Sequence, residues 1–408
     1  MQNAEGIDNL SLKASYGIQG NDNLDSYYPW QATYSLAWPN ESEFGAVVGG
    51  IENKGISWEE NKNLNVGMEA RLWDRVNLSV EWYNRITDGM LLVYPLPWSS
   101  GFSGYYRNSG NMQNTGVEAS LSIDIFKREN FQWTSTIMAS HNENKVLKLV
   151  EVDKANGEKN DQISGDQIIR EGEAIYSYYV PISAGVDPRT GDQLYWAYKT
   201  FKDMDDIKAW NEAKGTNYDG HMIGEKKPGT DYITNSQSEA QASKVICGDR
   251  TPDVYGSWNN YFRLGNFDLS IQTNFSIGGV MIDGVYSGLK DFYYPAQAKH
   301  VDLLRAWKQP GDVTDIRRMD IGKYGITTSD DLVDASYVAI KNVTLGYTLP
   351  QNIVSRMGIK GLRASVSADN LALFSKIQGM NPQYSITGGT SYVYTPSKTF
   401  SFSLDFSF

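Results

Sequence analysis

Apolar and polar residues alternate one for one along much of this chain, most clearly at its end. Phe400, Phe402, Leu404, Phe406 and Phe408 are interleaved with Ser401, Ser403, Asp405 and Ser407. Successive side chains of a strand point to opposite faces, so such a segment has one greasy and one polar side. The period recurs at Leu10, Leu12, Ala14, Tyr16 and Ile18, and at Leu64, Val66, Met68, Ala70 and Leu72. It returns at Val76, Leu78, Val80 and Trp82, at Val117 to Ile125, and at Phe131 to Ala139. Further strands are expected over 254–263, 267–277, 337–349 and 362–372, and the terminal one spans 398–408. Less regular ones near 28–36, 44–51, 174–184 and 193–199 bring the total to about fourteen. Many approach the ~10 residues of a tilted spanning strand, and a barrel wall with lipid outside and water inside asks for this two-faced pattern.

The connections sort by length. Turns near 73, 125, 186, 264 and 349 are short, and between them run the long stretches 92–111, 145–173, 200–252, 278–336 and 373–397. A transmembrane barrel gives that alternation, with tight periplasmic turns and long external loops. The segment Asp187-Pro188-Arg189-Thr190-Gly191-Asp192 has the residues of a hairpin turn and is assigned to the periplasmic side. Two loop segments carry helical spacing: 205–214, with Ile207 and Trp210, and 298–307, with Val301, Leu304 and Trp307. The stretch 151–168 reads as a solvated loop.

Composition narrows the function. No run approaches the ~20 apolar residues of a spanning helix. The 26 Tyr, 14 Phe and 11 Trp suit strands and the aromatic girdles of a barrel. A net charge of −11 argues against a nucleic-acid binder. Cys247 is the sole cysteine, and His141, His221 and His300 lack ligand spacing, so no metal site, cofactor or Ser-His-Asp triad is expected. Glu59 and Glu60 are adjacent strand residues and face opposite ways, which defeats a glycosidase carboxylate pair. Gly278-Gly279 and Gly388-Gly389 have no following Lys-Ser/Thr, so neither reads as a phosphate loop. Residues Met1 to Asn9 show no signal-peptide pattern, and the alternation begins at once, as though in mid-structure.

Several stretches, in this order, resemble the C-terminal part of SusC/RagA-type TonB-dependent transporters of the Bacteroidota outer membrane. They are LKASYGIQGNDN (12–23), NLNVGMEARLWDRVNLSVEWYNRITD (63–88) and GNMQNTGVEASL (110–121). EGEAIYSYYVPISAGVDPRTGDQLYW (171–196), GDRTPDVYGSWNNYFRLGNFDL (248–269) and AWKQPGDVTDIRR (306–318) follow. SYVAIKNVTLGYTLPQNIVSRMGIKGLRASVSADNLAL (336–373) and the terminal Phe408 complete the set. The resemblance implies about fourteen C-terminal strands of a 22-strand antiparallel barrel, all-β with short loop helices. The plug, TonB box and signal peptide of that family are not among residues 1–408. It further implies import of oligosaccharides or peptides, driven by TonB through a plug, beneath a SusD-like lipoprotein lid. Gly116 is expected where a strand enters the barrel, Lys341 and Asn342 where a loop becomes a strand, and Asn370 where a strand leaves. Residues 215–250 lack the Asp-Gly-rich pattern of many relatives, so no calcium site is expected there.

In that reading Glu69, Arg71, Glu81, Arg85, Glu118, Asp124 and Arg363 face the lumen. Trp98, Tyr105, Trp196, Trp210, Tyr293 and Trp307 are candidates for ligand or lid contact, against the alternative that they pack within loops. A soluble or surface-anchored β-rich glycan-binding protein is the other class the pattern allows. It requires the apolar faces to meet in a core between two sheets, and it predicts a chain that folds without detergent.

Overall fold

The computed structural model of the chain describes residues 5–24, 27–40, 43–96, 98–149, 161–215, 217, 231–293, 295–321, 325–383 and 394–408. The alternating segments pair in strict chain order into one antiparallel ten-stranded sheet. Its strands are β1 (Ile7–Asn21), β2 (Glu59–Leu72), β3 (Val76–Asp88), β4 (Asn111–Lys127) and β5 (Phe131–Lys148). β6 (Val254–Leu264), β7 (Phe267–Ile277), β8 (Tyr337–Thr348), β9 (Gly361–Ser375) and β10 (Thr399–Ser407) complete it.

Register keeps the greasy positions together. Leu12 lies opposite Met68, Met68 opposite Val80, Val80 opposite Ala119 and Ala119 opposite Ala139. A second row runs Trp133, Phe262, Leu269, Leu345, Val366, Phe402. This face is uncovered: Leu12 is 78% exposed, Val66 47%, Phe402 67% and Phe406 50%. A soluble sandwich would bury these residues under a second sheet, and among the described residues no such layer exists. Two indole N–H groups on this face find partners in place. Trp133 Nε1 donates to Asn260 Oδ1 (3.1 Å) and Trp258 Nε1 to Ser135 Oγ (2.9 Å), as a face without water requires.

The apolar band has a limited height. On β5 it runs from Phe131 to Ala139 and gives way to His141, Glu143 and Lys145. That is about 30 Å of strand, or roughly 23 Å once tilted by about 40°, close to the ~25 Å band of outer-membrane barrels. At the short-turn end it closes in an aromatic girdle. Phe126 packs on Phe131 (5.4 Å) and Trp133 (6.1 Å), Trp133 on Phe262 (5.4 Å), and Phe267 on Tyr347 (4.6 Å).

Connections of 73–75, 128–130, 265–266 and 349–360 lie at that end, and 22–58, 89–110, 149–253, 278–336 and 376–398 at the other. In the first, Trp73 and Asp74 both have φ 52°, a tight hairpin closed by Arg75 N–H to Leu72 O (3.1 Å). Parity therefore holds, but with ten strands rather than fourteen. The hairpin around 187–192 is not periplasmic. It joins Ile182–Val186 to Gln193–Tyr198, which pair with Asp231–Thr234 in a separate three-stranded sheet inside the long 149–253 connection. Likewise 28–36 and 44–51 fall in a two-stranded ribbon, Thr33–Asn40 with Glu43–Gly50, inside 22–58. Strands within the loops can alternate like barrel strands, whether packed on one side, as at Tyr195 and Ala197, or exposed, as at Tyr34 and Leu36, and turn residues carry no sign of which side of a membrane they occupy.

Loop helix α1 (Met204–Lys214) forms as expected, with Asp203 accepting from Asp205 and Asp206 N–H and left-handed Gly215 ending it. The second expected helix is a single 3₁₀ turn, Val301–Arg305. Trp307 N–H leaves it to donate to Ile316 O (3.0 Å). Of the stretch 151–168, residues 151–160 lie outside the described residues, and Gln162–Ser164 pairs with Gln167–Ile169.

Candidate functional site: polar wall and external cleft

The seven charged residues singled out in the sequence share the polar face of the sheet. Glu69 takes Lys13 (2.5 Å), Arg71 pairs with Asp74, and Lys127 reaches the same carboxylate (3.0 Å). These two cations hold the Asp74 carboxyl below its ordinary range, Lys127 contributing more. Arg85 lies over the Tyr83 ring at 4.5 Å, and Thr134 donates to Asp124 (2.7 Å). Arg363 grips Asp268 with two bonds (3.1 and 2.6 Å), spanning β8 at Gly346, where a methyl group would strike both partners. Glu81 stands directly opposite Glu118, with no cation in ion-pair reach among the described residues. Like charges so placed repel, which costs a few tenths of a kcal/mol to ~1 kcal/mol in a wet setting.

Where strands become loops, a few side chains fasten the exits. Lys341 and Asn370 lie inside β8 and β9, four residues after the start of the one and five before the end of the other, rather than at the strand ends expected for them. A bulge at Lys341 faces Asn370, whose φ is 52°. Lys341 Nζ donates to Asn370 Oδ1 (3.0 Å) and Gln383 Oε1 (3.2 Å), so the two positions named separately in the sequence meet. Asp283, fully buried, accepts from Gln378 N–H (2.9 Å), Gly379 N–H (2.7 Å) and Tyr286 N–H (3.1 Å). Buried Arg250 donates to Pro382 O (2.8 Å), and burial depresses its pKa. Gly116 has a different place from the one expected. It sits within β4, not at its entry, because Tyr83 lies across it to reach Asn142 on β5 (2.8 Å).

Asp334 ties two loop necks. It accepts from Ser336 N–H (2.9 Å) and hydroxyl and from Lys376 Nζ (3.0 Å), while Ser336 Oγ accepts from Gly278 N–H (2.9 Å). The Ser336 bonds, then Lys376, hold its carboxyl down at about 2. A lowered folded-state pKa stabilises above the ordinary carboxylate range, and that contribution disappears as pH falls through about 2. The site is part-exposed, so screening keeps the effect modest. Asp334→Asn is expected to speed amide exchange at Gly278 and Ser336 at neutral pH and to make no difference near the pH where Asp334 itself is protonated. Equal exchange in both proteins at neutral pH would show that the neck does not depend on this carboxylate.

Between the 149–253 and 278–336 connections lies a cleft of about 640 Å³. Its lining includes Tyr195, Lys290, Asp291, Tyr293, Lys299 and Arg317. Asp291 is its organising group: it accepts from Arg317 (3.1 Å), Gly325 N–H (3.1 Å) and Tyr293 N–H (2.7 Å), and its carbonyl takes Lys299 Nζ (2.6 Å). Alongside, Lys290 lies over the Tyr286 ring (4.3 Å), and burial plus the bond to Asp302 push the Tyr286 phenol up to about 12. Charges of both signs line it, with Tyr195 and Tyr293 as its aromatic residues. Sequence reasoning missed Lys290, Asp291, Lys299 and Arg317 as a group; only the Arg317 stretch carried a signal.

Of the six aromatic candidates, Tyr293 alone lines the cleft. Trp210 packs edge-on against Phe201 (5.9 Å) beside buried Ile207, a loop core. Trp307 donates to Pro188 O (3.0 Å) and packs on Gly191. With Gly311 N–H to Pro188 O (2.8 Å), Arg318 N–H to Gly191 O (2.8 Å) and the Arg318–Asp192 pair (3.1 Å), it docks the 187–192 hairpin onto the 306–318 stretch. Tyr105 meets Tyr94 at 5.6 Å in a loop ribbon, and Trp196 lies in register between Ile182 and Ile233. Trp98 opens a 3₁₀ turn, Trp98–Ser100, and its side chain lies outside what is described.

No family model matches the chain. It is 29% identical over 395 residues to TonB-dependent receptor P3 of Formosa agariphila, covering 94% of this chain and 36% of that protein. It is 24% identical over 420 residues to TonB-dependent receptor SusC of Bacteroides thetaiotaomicron, covering 98% of this chain and 38% of that one. Among solved structures, the RagAB peptide transporter superposes with a TM-score of 0.82 at 26% identity, over 100% of this chain and 42% of the other. The chain thus spans well under half the length of these relatives. They are receptors and transporters rather than enzymes, and SusC and RagA are outer-membrane proteins of the Bacteroidota.

Proposed function

We propose that this chain, of the SusC/RagA type and resident in the outer membrane, supplies ten adjacent strands of the barrel wall of a TonB-dependent importer. The observation that carries this is the exposed, mainly apolar face, ten strands wide, backed by a polar face and bounded by short turns on one side only. Among the described residues no strand pairs with the outer edges of β1 and β10, and lipid does not tolerate unpaired backbone groups, so further strands complete the cylinder. The polar face then lines a lumen filled by a plug through which TonB acts. Unpaired Glu81 and Glu118 suit cationic groups on that plug. A SusD-like lipoprotein covers the external loops. Oligosaccharides or peptides are the cargo, and the polar cleft, with charges of both signs, is a contact point for it. Selection there is by hydrogen bonding and charge, with no bond made or broken in this chain.

The experiment uses the assembled transporter containing this chain, in proteoliposomes with and without TonB coupling. Energised uptake of oligosaccharide or peptide is expected from the assembly, and none from residues 1–408 alone. A chain that is monomeric and folded in plain buffer would overturn the reading and favour the soluble glycan binder. TonB-responsive flux through 1–408 alone would overturn the need for further strands.

A further inference from the structure

Three of the four short turns are tight hairpins, but 349–360 is longer and carries α2 (Gln351–Val354) and a 3₁₀ turn, Ser355–Met357. Val354 is fully buried and packs the piece against the end of the sheet. Left-handed Gly358 ends it, and Lys360 N–H returns to Ser407 O (2.8 Å). One helical turn apart, Ile353 and Met357 are 45% and 55% exposed. Arg356 and Lys360 are exposed beside them and have no ion-pair partner among the described residues. The turn adjoins the girdle at Tyr347 and the apolar positions Leu362 and Phe406.

We infer that this turn is an interfacial foot, seated on the periplasmic leaflet and specific for anionic phospholipid headgroups. Ile353 and Met357 enter the acyl boundary, while Arg356 and Lys360 meet lipid phosphates. Two observations choose lipid as the occupant. The exposed apolar pair continues the face that already meets hydrocarbon, and free cations stand at its edge in a chain whose net charge is −11. Such a chain gains nothing from anionic lipid at long range, so the attraction must be local, between these two cations and headgroups within a Debye length of them. Short amphipathic segments with cations beside apolar residues lie in this layer.

The inference rests on the barrel reading, and the test separates the two. The assembled transporter carries a nitroxide at Met357→Cys in a Cys247→Ser background, in nanodiscs of phosphatidylglycerol with phosphatidylethanolamine or of phosphatidylcholine alone. Collisions with oxygen are expected to exceed those with a water-soluble nickel chelate. A higher Tm in the anionic discs is expected, and loss of that increment in Arg356→Gln/Lys360→Gln. Dominant nickel collisions place the turn in water, and low collisions with both agents place it under protein; either overturns the foot. A lipid-independent Tm overturns the headgroup contact. Heat-modifiable migration in gels reports the folded barrel independently, and its absence would refute the barrel reading and the foot with it.

Discussion

Replacing Val366 by arginine should cost about 2–4 kcal/mol of barrel stability, whereas Ser367→Arg, one residue further along β9, should cost far less. Val366 lies mid-strand between Leu345 and Phe402 on the apolar face, and Ser367 lies between Thr344 and Ser401 on the polar one. If the apolar face meets lipid, the first substitution places a guanidinium near the bilayer centre. The second places it where water or a polar plug can solvate it. The strand, its neighbours and the added side chain are otherwise the same, so β propensity and bulk largely cancel. Urea titration of the assembled barrel in vesicles reads the difference. Equal costs at the two positions would mean that both faces see the same surroundings, and the membrane assignment would fail.

The faces were legible because lipid and water impose opposite chemistry on alternate residues over long strands. β5 announces its own boundary, where Ala139 is followed on the same face by His141 and Glu143. The bulge on β8 also left a trace: Val338 and Ile340 share a parity that Val343, Leu345 and Tyr347 do not. Only one residue out of step reconciles them, and the structure puts it at Lys341. Strand membership was less legible. Ile182–Val186 and Gln193–Tyr198 alternate because one side of their sheet packs inside the loops, and a period of two does not say what covers a face. Length was a signal for 193–199 alone, which falls short of the ~10 residues a span requires. The alternating run 174–184 is long enough, and the structure divides it at Pro181 into Ser177–Val180 and Ile182–Val186. The cleft was least legible. Asp291 and Arg317 are brought together by loop closure, and no local rule links residues so far apart. The aromatic candidates drew notice for residue type, yet Trp210 and Trp307 act within the loops, one in a small core and one as a dock.

Gly116 carries the second large prediction: Gly116→Ala is expected to destabilise the barrel by about 1–3 kcal/mol through overpacking. The backbone at this position is ordinary for a strand, so the requirement is space, not conformation. A methyl group would meet two obstacles, the Tyr83 hydroxyl and the His141 carbonyl oxygen. They differ in how they can yield. Tyr83 can swing away only by breaking its bond to Asn142, which contributes about 1 kcal/mol. The His141 carbonyl belongs to the backbone of β5 and moves only with the β4–β5 ladder. Tyr83→Phe should therefore cost about the single hydrogen bond. Tyr83→Ala should remove only part of the penalty of Gly116→Ala when the two are combined. A double-mutant cycle followed by urea unfolding in vesicles measures that coupling. Full rescue by Tyr83→Ala would show that the side chain alone demands the glycine. No cost for Gly116→Ala would show that the β4–β5 ladder gives way more readily than paired strands in a barrel wall should.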